Sequence, residues 1–173
     1  MATDAVLSRM RAGPSARGPG PIDVFVCGST ERSDQGAPTA AARLFEPVAP
    51  TCVRVRRLER LEVDDLLLAR GAAGLVVVDT STGIEPGTIV ELPLRGMADG
   101  RAALRPSIAH VLTLPEVLGV VDMLRGRPLP GRVVLIGARR FTRHRPITRR
   151  VRQAVPALSR AIALAVERVR LEA

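Results

Sequence analysis

Three short stretches of this chain carry side chains suited to chemistry. "CGSTERSDQG" (27–36) follows an apolar run and ends in Asp34, Gln35 and Gly36. "VVVDTSTGIEPG" (76–87) places Asp79 directly after three valines, where a carboxylate is costly unless paired, solvated or metal-bound. "RPSIAHVLTLPE" (105–116) carries His110 three residues after Ser107, in or just before a helix. A carboxamide oxygen, a carboxylate and an imidazole can all ligate a borderline divalent ion. Gln35, Asp79 and His110 would therefore make a metal site with positions left open for a further ligand. Each has a plainer use as well. Asp34 or Gln35 can cap a helix opening near Pro38, Asp79 can be satisfied by neighbouring backbone N–H groups, and His110 can be structural.

Other chemistries lack their signatures. The 28–36 loop has neither the GxGxxG spacing nor a Walker pattern, so it is a poor nucleotide cradle. There is no HExxH and no GxSxG, which argues against a zincin and against a nucleophile-elbow hydrolase. Cys27 and Cys52 form no CxxC pair, and no His/Asn set accompanies Cys27. Both cysteines fall within predicted strands and are expected to be buried free thiols.

The elements that must position these residues follow from pattern. "IDVFVC" (22–27) reads as a strand, and "PTAAARLFEPV" (38–48) as a helix opened by Pro38 in its first turn. "TCVRVRRL" (51–58) alternates and predicts a second strand. "EVDDLLLARG" (62–71) predicts a short helix with acids in its first turn. "GLVVVD" (74–79) is a continuous apolar run of the kind found when both strand faces are buried. "GTIVELPL" (87–94) predicts a strand kept at an edge by Pro93. A helix is expected from about Pro115, a buried strand over 131–138, and a long terminal helix over 148–173 with Pro156 as a kink. Strands alternating with helices predict an α/β fold, a three-layer α/β/α sandwich with a mostly parallel sheet. In such sheets, sites form at the carboxyl ends of strands. That points to the loops after Cys27, Val78 and Ile136.

Composition narrows the partners. The 173 residues suffice for one domain, 46% hydrophobic but only 2% aromatic, so aliphatic side chains must build the core. Residues 1–20 read as a flexible arm and 21–173 as the single domain. All 26 basic residues are arginine, and the net charge is +9. Such a surface attracts nucleic acid, anionic lipid or an acidic protein. Few aromatic rings means few stacking platforms for single strands, which weakens the nucleic-acid reading. No apolar run is long enough to span a membrane and no signal core is visible, so a cytoplasmic location is expected. Oligomeric state is not legible.

In order and spacing, these segments resemble the hydrogenase maturation proteases, which trim the C-terminus of the [NiFe]-hydrogenase large subunit. The matching residues are Gly28-Ser29 followed by "TERS" and Asp34-Gln35-Gly36, then "VVVDTSTGIEPG", then "SIAHVLTLPE" with Glu116, then "VVLIGARRFTRHRPITRRVRQAV". The likeness runs over nearly all of residues 22 to 165. It implies an endopeptidase that acts on the large-subunit precursor and recognises nickel already installed there, through Gln35, Asp79 and His110. Gly28, Asp34 and Gly36 would support the first loop. Ser29, Pro38 and Ile147-Thr148 depart from the family pattern, and Gln35 stands where that pattern has an acid. A neutral amide oxygen is a weaker ligand for a dication than a carboxylate. The departure leaves three possibilities: Gln35 ligates, Asp34 or Glu31 serves instead, or the protein is a non-catalytic binding factor.

Overall fold

The computed structural model describes residues 20–97 and 114–173. The expected 1–20 arm therefore falls, but for Gly20, outside the described residues. Five strands form one sheet in the order β2-β1-β3-β5-β4: β1 (Ile22–Cys27), β2 (Val53–Leu58), β3 (Gly74–Ser81), β4 (Ile89–Pro93) and β5 (Gly131–Gly137). The first four strands in that order run parallel, and β4 is antiparallel on β5. Pro93 closes β4 at the sheet edge, where a missing N–H costs no ladder bond.

Both faces of the sheet are covered, and this explains the unbroken apolar runs. On one face Ile22, Val24 and Val26 of β1 join Val76, Val78, Val134 and Ile136 beneath α1 (Ala37–Phe45) and α4 (Arg149–Glu172). On the other, Phe25, Cys27, Leu75, Val77, Val133 and Leu135 pack under α2 (Val63–Leu68) and α3 (Leu114–Arg125). Strand side chains alternate between faces, so every residue of β1 and β3 is buried. Removing a Leu or Val side chain of this kind from water is worth about 1.5–3 kcal/mol.

Local signals account for the helices. Pro38 lies in the first turn of α1, and Glu62 and Asp65 form a reciprocal capping box at the start of α2. The terminal helix runs through Pro156, which is exposed. Asp23, buried within β1, is neutralised across the sheet by Arg54, its registered partner on β2, through bonds of 2.8 and 3.0 Å.

Two expectations are corrected. β3 does not stop at Asp79 but continues to Ser81, because Leu135, Ile136 and Gly137 of β5 extend the ladder opposite Asp79, Thr80 and Ser81. Cys52 is exposed in the turn before β2, and only Cys27 is a buried thiol. Among the described residues, no helix is long and apolar enough to cross a membrane.

Candidate functional site

The strand order contains a point of divergence. From β1 the chain passes through α1, on one face, to β2. From β3 it passes the other way, beyond β5 to β4 at the far edge, and β5 follows later after α3, on the other face. The loops leaving β1 and β3 therefore part above two adjacent strands. Open α/β sheets form their ligand crevices at such a switch point, outside the carboxyl ends of the strands. Gln35 and Asp79 both belong to this edge.

The loop after β1 is bent sharply. Gly28 has φ 153°, and a Cβ placed there would lie 2.2 Å from the carbonyl oxygen of Gln35. Only glycine allows the backbone to fold back this closely. The return leg forms a 3₁₀ turn, Ser33–Gly36, which packs against β3 and leads into α1. Gln35 is half-buried in that turn, its N–H donating to the Arg32 carbonyl at 2.8 Å. Gly36 has φ −77°, and a Cβ there would meet nothing nearer than 3.5 Å, so its position does not require glycine.

Asp34 has a role that neighbouring sequence does not reveal. Its carboxylate is buried and takes three backbone N–H groups from the segment between β5 and α4. Oδ1 accepts from Thr148 at 2.8 Å, and Oδ2 from Arg140 at 3.1 Å and, more weakly, Arg139 at 3.4 Å. Thr148 is the residue from which α4 starts. The local cap expected for α1 is thus absent, and Asp34 instead anchors the entry to the terminal helix. With its oxygens so engaged, Asp34 is a structural clamp and a poor substitute for Gln35 as a ligand. Further bonds tie the same two loops together. Asp34 N–H donates to the Arg140 carbonyl, His144 N–H to the Glu31 carbonyl, and the Ser33 hydroxyl to the Pro146 carbonyl. Glu31 itself is exposed.

Asp79 is 1% exposed within β3, and its Oδ1 accepts the N–H of Thr80 at 2.7 Å. It lies near Cys27 at the end of β1. Burial pushes the Cys27 thiol far above its ordinary range, and the carboxylates of Asp79 and Asp65 push it the same way. Cys27 is therefore a neutral thiol at physiological pH. The loop after Asp79 is held by β5, since Gly87 N–H bonds the Gly137 carbonyl and Gly137 N–H the Thr88 carbonyl. A Cβ on Gly137 would sit 2.0 Å from the Glu85 carbonyl oxygen.

His110 lies outside the described residues. Among the described residues, no group of three or more His, Cys, Asp or Glu is placed to hold a metal ion. The Asp79 carboxylate and the Gln35 amide stand at this edge, oxygen donors of the kind that, with an imidazole, suit a borderline dication.

Comparison with protein-family models returns no match, and neither does comparison with curated proteins. Solved structures do match. The [NiFe] hydrogenase maturation protease HybD from Thermococcus kodakarensis superposes with a TM-score of 0.63 at 19% identity, over 84% of this chain and 99% of that one. The hydrogenase maturating endopeptidase HybD from E. coli gives 0.68 at 17% identity, over 86% of this chain and 93% of that one. The maturation protease HycI from Thermococcus kodakarensis gives 0.59 at 18% identity, over 94% and 99%. The likeness extends over nearly the whole of each of these proteins. The chain has the α/β/α fold of the [NiFe]-hydrogenase maturation proteases.

Proposed function

We propose that this protein is an endopeptidase of hydrogenase maturation, removing the C-terminal peptide of a [NiFe]-hydrogenase large-subunit precursor. The observation that carries this reading is that Gln35, in the loop leaving β1, and buried Asp79, near the end of adjacent parallel β3, stand at the same carboxyl edge of the sheet, within the fold that those proteases share. In this reading Asp79, His110 and Gln35 recognise nickel that the precursor brings with it. The nickel belongs to the substrate, and the protein reads it as a mark of a filled active site. Asp79 supplies the charge and Gln35 a neutral, weaker oxygen.

The test is incubation with nickel-loaded precursor, with loss of the C-terminal peptide read by mass. The natural protein should cleave, Asp79→Ala should not, and Gln35→Glu should cleave at least as well. Cleavage by Gln35→Glu alone would remove the enzyme assignment and leave the second reading, a binding factor that holds the precursor without cutting it. That second reading rests on one observation, the amide of Gln35 in a position where the family pattern has an acid.

A further inference from the structure

The segment 138–152, "ARRFTRHRPITRRVR", is not used by the crevice, although Asp34 ties it there. Arg140, Arg145, Arg149 and Arg152 line one open groove of about 620 Å³ together with Thr142, Pro146 and Thr148. Nearby Arg139 and Arg150 are paired with Glu85. Among the described residues, none of the four groove arginines forms an ion pair. Their setting is electrostatically adverse. The first turn of α4 contains no acid, and Arg149, Arg150 and Arg152 stand at the positive end of a 24-residue helix. A sequence chosen for stability alone would place Asp or Glu there. Local rules broken without a local gain mark a surface that answers to a ligand.

We propose that this groove docks an acidic polypeptide segment, and, resting on the function proposed above, that the segment belongs to the precursor. The ligand is anionic because four arginines without an ion pair among the described residues line one concavity. Each planar fork matches a carboxylate through two parallel N–H···O bonds. A polypeptide fits better than nucleic acid because the chain has no Trp or Tyr, two of its three Phe residues are buried in the core, and the third, half-buried Phe141 in the adjoining depression, is one ring where a strand needs several. Single strands are held by stacking on aromatic rings as well as by charge. The groove also adjoins the loop that carries Gln35, through the depression that holds its neighbour Asp34. Arg140, Thr142 and Thr148, which line the groove, also line that depression.

The test uses a short fluorescein-labelled oligoglutamate and the full chain, with anisotropy as the readout. Arg145→Ala with Arg149→Ala should weaken binding about tenfold or more. A charge-matched control, Arg43→Ala with Arg160→Ala on exposed helix positions, should leave binding nearly unchanged. Equal weakening by both pairs overturns the groove in favour of diffuse charge. Tighter binding of a single-stranded oligonucleotide of equal charge that displaces the peptide overturns it in favour of nucleic acid. Absence of peptide binding by the natural protein overturns it outright. Cleavage is scored separately: unchanged KM for the precursor in the groove variant refutes docking and leaves the peptidase reading intact. Groove-dependent peptide binding without precursor cleavage refutes the peptidase reading alone.

Discussion

Replacing Asp34 separates a clamp from a ligand. In Asp34→Ala, the N–H groups of Thr148 and Arg140 lose acceptors at 2.8 and 3.1 Å, and the longer contact from Arg139 is lost as well. Hydrogen bonds to a charged group contribute about 1.5–3 kcal/mol each, which would put the two shorter bonds at about 3–6 kcal/mol. Removing the carboxylate also removes the cost of burying it, and water can reach part of the freed loop, so about 3 kcal/mol is the expected loss. For a domain of this size that lowers Tm by about 6–12 °C. Asp34→Asn should fall between, because its amide oxygen can keep the Thr148 bond while its NH₂ group opposes the Arg140 N–H. Urea unfolding measures the loss, and limited proteolysis within 138–148 reports the released segment. An Asp34→Ala protein within about 1 kcal/mol of the natural one would refute the clamp. So would undiminished stability accompanied by loss of nickel binding, since that is how a ligand behaves.

Gly28→Ala should displace the first loop and cost about 2–3 kcal/mol, whereas Gly36→Ala should be neutral or slightly stabilising, both read by chemical denaturation. Cys52 should react with iodoacetamide in the native protein and Cys27 only after unfolding, so mass spectrometry should find a single adduct. Because folding raises the Cys27 pKa, the native state holds its proton after the unfolded thiol has lost it; stability should be complete below about pH 8.5 and fall as pH rises beyond that, a trend absent in Cys27→Ser. Arg149→Glu should raise stability by about 1 kcal/mol through the helix dipole while weakening oligoglutamate binding, so that thermal melts and anisotropy move in opposite senses.

Much of the sheet was readable from residue order. "GLVVVD" and "GRVVLIGA" are apolar without alternation because both of their faces are covered. Pro93 marked the edge strand, and Pro38 fell in the first turn of α1. The readings that failed depend on distant partners. Thr80 and Ser81 look like a turn until β5 is found pairing with them. Asp34 looks like a cap for α1, and its real partners lie 105 to 114 residues further along the chain. No local pattern encodes that distance.

The stitching of residues 31–34 to residues 139–148 sets an order on biosynthesis. β1 and its loop leave the ribosome early, but the N–H groups that hold Asp34 emerge 105 to 114 residues later. Long-range closures of this kind form late, since loop entropy must be overcome before contacts return it. The first loop thus acquires its fixed shape only once the terminal helix docks. A chain interrupted before residue 138 contains all five strands but lacks the N–H groups that lock the edge on which Gln35 stands. Synthesis of residues 139–148 is in this sense a checkpoint on the site.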